Sequence, residues 1–296
     1  MRAHVVISTL NKTRPVLISG ATASGKSTLA LKIAVELGGV IINADALQVY
    51  NGWRILTARP SAEEELQAQH LLYGHIDNNS SYSVGDWIRQ ITPILKSGRR
   101  PIIVGGTGLY FRALTEGLAD IPPVPKEIQA QAKQFLHEGK CAFMLQKLDD
   151  LTKAKIDVQN PIRISRAWEV LQATGRSIVS WHDHTPPPLM PLSNCDALHL
   201  DSPFDWLNTR LKSRFDTMIL NGALDEARVN LDTWNPNLQA SKAIGATELI
   251  SYLLGQNSLA DAKELAVTAS RQYAKRQRTW FRKRMSSWRR LESQNL

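Results

Sequence analysis

The chain has 296 residues, 43% of them hydrophobic, with 36 Lys+Arg against 27 Asp+Glu. That length suits one large domain, or one domain carrying an inserted second, with ample apolar residues for a core. No apolar run approaches the roughly 20 residues of a membrane span, Val5-Val6-Ile7 is too short for a secretion signal, and Cys141 and Cys195 stand far apart without metal-ligand spacing. Neither a membrane span, a disulfide framework nor a zinc site is expected, and a reducing cytoplasm is the expected location.

The first 14 residues read as a short extension. Residues 15–19 (PVLIS) form an apolar run long enough for a buried strand. GATASGKS follows at 20–27 and fits G-x-x-x-x-G-K-[ST], the loop whose backbone N–H groups wrap a chain of phosphates. Gly20 and Gly25 allow the loop its backbone angles, Thr22, Ala23, Ser24 and Thr28 line it, Lys26 supplies a cation, and Ser27 offers a hydroxyl to Mg²⁺. Residues 27–37 carry apolar side chains at helical spacing up to Gly38-Gly39. Strand, loop and helix in register identify a di- or triphosphate binder.

Residues 40–43 (VIIN) read as a second buried strand, followed by Asp45-Ala46-Leu47-Gln48. A carboxylate just past a strand end lies on the edge of an open α/β sheet where ligands bind. A helix opens after Ser61 with three acids in its first turn, as the helix dipole favours. Another spans 83–95, with Ser83 and Asp86 at capping-box spacing. Residues 101–104 (PIIV) form a third strand, ending in Gly105-Gly106-Thr107-Gly108. Asp45 and Thr107 are thereby expected on the rim that carries the phosphate loop.

Proline clusters at 121–125 and 186–191 bracket about 60 residues of helical periodicity without a convincing strand. An inserted helical domain over 119–196 is expected, in a core formed by 1–118 and 197–296. Its clearest helix spans 161–173, where Arg163 and Arg166 share a face; spacing alone makes such a pair a solvated surface. A strand at 197–200 returns the chain to the sheet, and a helix over 207–220 carries Arg210 and Arg214 opposite its apolar stripe. The fold class is α/β, a P-loop NTPase-like parallel sheet flanked by helices, with an all-helical insertion.

The last helix is expected over 262–288. Between Leu265 and Leu291 there is no acid and nine bases, which leaves 27 bases against 27 acids elsewhere. Arg271, Lys275, Arg278, Arg282 and Arg289 stack on one face at helical spacing, with Tyr273, Trp280, Phe281 and Trp288 turned away to anchor the helix. One strongly basic face points to a polyanion, and nucleic acid is favoured over a lipid surface.

An ATPase holds Mg²⁺ through a carboxylate ending a second apolar strand, but the strand at 101–104 ends in Gly-Gly-Thr-Gly. A nucleotide or small-molecule kinase with a helical lid is the competing reading, and an RNA-binding module with a vestigial phosphate loop is a third. Further motifs separate them: INADALQVYNG (42–52) with TARP (57–60), YSV (82–84), VGGTGLYFRAL (104–114), NPIRISRAWEV (160–170), RFDTMILNGALDEA (214–227), AIGATEL (243–249) and AKRQRTWFRK (274–283). With the phosphate loop, this set resembles the bacterial tRNA dimethylallyltransferase (tRNA isopentenyltransferase) family, in the same order over residues 15–283. VGGTGLY and AKRQ-TWFR are specific to that family.

The resemblance implies transfer of a dimethylallyl group from dimethylallyl pyrophosphate to the exocyclic amine of the adenosine 3′ to the tRNA anticodon. The phosphate loop would then hold a pyrophosphate leaving group, which suits the missing ATPase parts and the basic helix. Asp45 matches the family's general base, and Gln48 beside it would help hold the extruded adenine, with Ala46 and Leu47 in the same tRNA-contacting stretch. Thr107 matches a threonine that reaches the bridging oxygen. Arg210 is taken as the phosphate-binding arginine, with Arg214 the neighbour it could be confused with. Lys26, the loop amides and Mg²⁺ at Ser27 would stabilise the leaving group. Arg163 and Arg166 would grip the anticodon stem-loop, and Lys275, Arg278 and Arg282 would bind tRNA; a monomer without an obligate protein partner is expected. A cytokinin-type relative using free AMP is the alternative within this chemistry. The chain departs from the family pattern at Ala21 for proline, Ala46 for serine, Arg59 for lysine, and Ala246-Thr247 for Tyr-Lys or Tyr-Arg.

Overall fold

The computed structural model describes residues 3–296. Six strands form one parallel sheet: β1 (Val16–Gly20), β2 (Val40–Asn43), β3 (His70–Leu71), β4 (Pro101–Gly105), β5 (Asp196–Asp201) and β6 (Arg289–Glu292), in the order β3-β2-β4-β1-β5-β6. β1 lies at the centre, with Leu17 beside Ile103 of β4 and Ala197 of β5. β1, β2 and β4 are buried throughout, as strands covered by helices on both faces must be. Their side chains divide by strand periodicity. Leu17, Ile42 and Ile103 join Trp53, Trp87, Phe111 and Phe281 on one face, while Val16, Ile18, Ile41 and Ile102 join Val6, Leu29 and Ile33 on the other. Burying a side chain such as Phe111 is worth about 1.5–3 kcal/mol.

The chain divides into two compact units, one of residues up to 115 with 190–296, the other of 116–189. The first contains the whole sheet. Its return point comes earlier than residue 197 because Met190 N–H donates to Leu114 O (3.1 Å) and β5 already starts at Asp196. The second unit consists of short helices around Trp168, Ile164 and Met144, with Phe135 edge-on to Trp168 at 5.4 Å. Its longest helix, Pro161–Thr174, starts where Asn160 accepts the Ile162 and Arg163 N–H groups, has proline at its first position, and stops at Gly175.

The helix Val84–Leu95 starts as expected in a capping box of Ser83 with Asp86, and Ala62–Gln67, with its expected first-turn acids, is closed by a second box of Ser61 with Glu64. Two expectations change. Residues Ala3–Ile7 form a helix rather than an extension, because Val6 and Ile7 are buried against the sheet. The basic helix runs Leu259–Arg284 rather than to 288. Beyond it Met285, Trp288 and Leu291 are buried, and seating Leu291 beside Leu200 requires an extended edge strand. Arg289 therefore leaves the cationic stripe and donates to Thr9 Oγ1 at 2.6 Å. No helix among the described residues is long and apolar enough to cross a membrane.

Candidate active site

The phosphate loop leaves the C-terminal end of β1 and enters the helix Lys26–Leu37. Leu29 N–H is the first of this helix to bond back, to Gly25 O at 3.1 Å, so the Lys26, Ser27 and Thr28 amides precede the helical ladder. Such first-turn amides, with the helix dipole, attract anions. Ser27 and Thr28 are exposed at this opening. Gly20 and Ser24 are buried beneath the loop; Ser24 borders a smaller cavity on the side of Trp206 and Leu296.

The loop borders a cavity of about 470 Å³. Thr22, Ala23, Gly25, Lys26, Ser27 and Thr28 line one side; Asp45, Leu47 and Gln48, from beyond β2, line another. The lining includes an apolar group, Leu56, Leu211, Phe215, Met218 and Ile244, and the polar side chains of Arg59, Glu64, Tyr73, Arg210, Arg214 and Tyr273. The structure thus brings together the phosphate loop, Asp45, Gln48 and both arginines. Thr107 and Ala46 do not line the cavity. They stand just behind Asp45, with Ala46 N–H donating to Thr107 Oγ1 at 2.9 Å.

Asp45 is held by a residue that sequence reading treats only as a strand end. Buried Asn43 accepts Asp45 N–H on Oδ1 (2.8 Å) and donates Nδ2 to Asp45 O (3.0 Å) and Leu72 O (3.0 Å). Asn43 O in turn accepts the indole N–H of buried Trp87 at 2.7 Å. Asp45 Oδ1 accepts Leu47 N–H at 3.0 Å. Gln48 Nε2 donates to both Thr57 O and Ala58 O at 2.9 Å, so its amide is oriented with Oε1 as the remaining acceptor.

The two arginines grip the loop differently. Arg214 donates Nη1 to Thr22 Oγ1 at 2.9 Å, and Arg210 donates Nε to Ala23 O at 3.0 Å with its guanidinium over Trp206. Arg214 is the more enclosed, and burial lowers its pKa against the opposing pull of Asp45. Burial likewise lowers the Lys26 ammonium to about 8, with Asp45 opposing and Arg214 adding to the shift. Burial, then the Asp45 charge, push the Tyr73 and Tyr273 phenols up. Asp45 is therefore within electrostatic reach of two cations and two phenols.

The helix Leu259–Arg284 presents two faces to this arrangement. Ser270 and Tyr273 line the cavity and Gln277 and Phe281 are buried, while Arg271, Lys275 and Arg282 are exposed and Arg278 is half-buried. Gln277, legible in sequence only as part of the AKRQ-TWFR motif, gains its contacts from the fold: Oε1 accepts Thr22 N–H at 2.8 Å and Nε2 donates to Gly106 O at 3.0 Å. The glycines after β4 follow from this packing, since a Cβ on Gly106 would lie 2.2 Å from Gln277 Nε2 and one on Gly108 2.1 Å from the Trp280 ring. Arg163 and Arg166 belong to the helical unit, both exposed, beside Asp157 (3.6 Å) and Glu169 (3.4 Å) respectively.

No cluster of three or more His, Cys, Asp or Glu side chains able to hold a metal exists among the described residues. The Ser27 hydroxyl, exposed where the phosphate loop opens, is the side chain that would meet a Mg²⁺ ion brought in with phosphate oxygens.

The family model described as IPP transferase matches residues 48–284, and one described as isopentenyl transferase matches 14–80. The chain is 56% identical to the tRNA dimethylallyltransferase of Ruegeria sp. (strain TM1040), covering 95% of this chain and 96% of that one. The crystal structure of the full-length tRNA isopentenylpyrophosphate transferase of Bacillus halodurans superposes with a TM-score of 0.67 at 31% identity, covering 95% and 90% of the two chains. A eukaryotic dimethylallyltransferase acting on tRNA shares the fold, with a TM-score of 0.79 over 94% of this chain and 73% of its own. A parallel sheet with a phosphate loop, a carboxylate across one cavity and this degree of likeness have one reading: the chain belongs to the IPP transferase family, that of the tRNA dimethylallyltransferases.

Proposed function

We propose that this protein transfers the dimethylallyl group of dimethylallyl pyrophosphate to the exocyclic amine of the adenosine 3′ to the tRNA anticodon, releasing pyrophosphate. The observation that carries the reading is one cavity lined together by the phosphate loop, Asp45 and an apolar group of side chains. The pyrophosphate lies against the loop amides, Lys26 and Arg214, with Arg210 securing the loop backbone. The allylic tail packs on Leu56, Leu211 and Phe215. The C1–O bond to pyrophosphate breaks as the adenine nitrogen bonds to C1, and Asp45 takes the proton that the amine sheds. Negative charge grows on the leaving oxygen, and the cradle's fixed donors stabilise it without reorganising. Mg²⁺, held by Ser27 and the phosphates, would neutralise pyrophosphate charge. The Thr107 hydroxyl, behind Asp45, buttresses the acceptor loop through Ala46.

The target adenosine leaves its stack to enter the cavity, and Gln48 Oε1 is the acceptor left to receive one of its amine hydrogens. Lys275, Arg278 and Arg282 on the helix, and Arg163 and Arg166 on the helical unit, contribute the phosphate-binding charge for the anticodon stem-loop. A cytoplasmic monomer suffices for this chemistry. Incubation with labelled dimethylallyl pyrophosphate, Mg²⁺, unmodified tRNA and AMP should label one adenosine per tRNA and leave AMP unlabelled. Label in free AMP with none in tRNA would replace this reading with the AMP-using one, and no label in either would remove it.

A further inference from the structure

Gln277 follows the exposed Arg276 in sequence, yet its carboxamide is buried between two loops of the sheet edge. It takes the Thr22 N–H (2.8 Å) at the tip of β1 and gives a hydrogen to Gly106 O (3.0 Å) at the tip of β4. Each bond leads on to the chemistry. Thr22 receives Arg214 on its hydroxyl at 2.9 Å, and Gly106 precedes Thr107, whose hydroxyl takes Ala46 N–H at 2.9 Å beside Asp45. The bare Cα of Gly106 lets Gln277 Nε2 and Asp45 Oδ2 crowd one spot, 2.2 and 3.0 Å from where a Cβ would stand. Among side chains, an amide is suited to accept from an N–H and donate to a C=O at once.

We propose that Gln277 is a positioning residue for the transfer: its amide sets the gap between the pyrophosphate cradle and Asp45. The proposal rests on the prenyl-transfer reading above and extends it. The same helix turns its cations outward, so the element that meets the polyanion also holds both halves of the site in register. Removing the amide leaves the Thr22 N–H and Gly106 O without their partner and lets two loops drift. A displacement of about 1 Å at a reacting pair costs on the order of 10²-fold in rate.

The test compares kcat, donor KM and tRNA Kd for wild type, Gln277→Leu and Gln277→Glu between pH 5.5 and 8.5. Gln277→Leu is expected to lose about 10²-fold in kcat while tRNA Kd stays unchanged. The substituted carboxyl of Gln277→Glu mimics the amide only when protonated, as O–H donor plus C=O acceptor. Facing it are Asp45, Tyr273 from the preceding turn, and Arg214 through Thr22. Burial and Asp45 raise its pKa from about 4.3. The ratio of Gln277→Glu to wild-type kcat should therefore climb as pH falls, with the Gln277→Leu ratio flat. A Gln277→Leu kcat within about threefold of wild type, against the 10²-fold expected of misplaced groups, overturns the proposal. If that variant does not fold, a Gln277→Glu ratio independent of pH overturns it instead. Absence of product from the wild type itself would remove the prenyl-transfer reading, which these ratios do not test.

Discussion

Raising the pH should unload the phosphate cradle through Lys26. Its ammonium titrates near 8 in the free protein, lowered chiefly by burial, against 10.5 for an ordinary lysine. Bound pyrophosphate adds negative charge beside it and restores the proton, so binding takes up a proton above that pH. Between about 8 and 10.5 donor affinity should fall roughly tenfold per pH unit, or about 1.4 kcal/mol. Phosphate ionisation does not account for this fall, since its second pKa lies near 6. Titration calorimetry with the donor ester, dimethylallyl pyrophosphate, without tRNA at pH 7.5, 8.5 and 9.5, in buffers of differing ionisation enthalpy, reads both affinity and proton uptake. Lys26→Arg, which stays charged throughout, should lose the dependence. Affinity constant over this range, or the same fall in Lys26→Arg, would refute this role for the Lys26 proton. The stability of the free protein carries the opposite sign. Within that window the unfolded lysine holds its proton longer than the folded one, so Lys26 makes stability rise with pH.

Asp45→Asn preserves the acceptor for Leu47 N–H but cannot take a proton, so turnover should fall by about 10²-fold or more with tRNA binding intact; turnover within a few-fold of wild type would remove the base. Arg214→Ala should raise donor KM by about 10- to 100-fold, the scale of a missing charge-assisted bond of about 1.5–3 kcal/mol. Arg210→Ala, which frees one carbonyl of the loop, should raise it less, and the reverse order would shift the pyrophosphate-binding role to Arg210. Reversing Arg278 and Arg282 to Glu should weaken tRNA binding and flatten log Kd against log salt, by about 0.9 for each phosphate no longer neutralised. Donor KM should not move, and an unchanged salt slope would mean the stripe faces something other than tRNA.

What could be read directly were features whose cause is local. The phosphate loop is legible because strand, glycine-bounded turn and helix follow within one stretch, and Ser83 with Asp86 marks a helix start because both hydrogen bonds close within that turn. Edge strand β6 was hidden because its one buried residue, Leu291, sits among exposed charges, and its partner β5 lies far back in the chain. The stripe through Arg289 failed for the same reason: helical spacing continues past the point where burying Trp288 and Leu291 turns the chain.

The residues themselves determined that this protein carries a phosphate-loop motif between a strand and a helix, that carboxylate and threonine follow two strand ends, and that its positive charge gathers at the C-terminal end. Tertiary structure alone decided how those parts meet. Arg210 and Arg214 lie four apart on one helix, and only its placement against the loop gives Thr22 to one and Ala23 to the other. Nothing local assigns a partner to Asn43 or Gln277 until folding supplies one, as far off as Thr22, 255 positions before Gln277. A hydrogen bond across such a separation leaves no periodicity or spacing in the sequence, because what specifies it is the packing of the whole sheet.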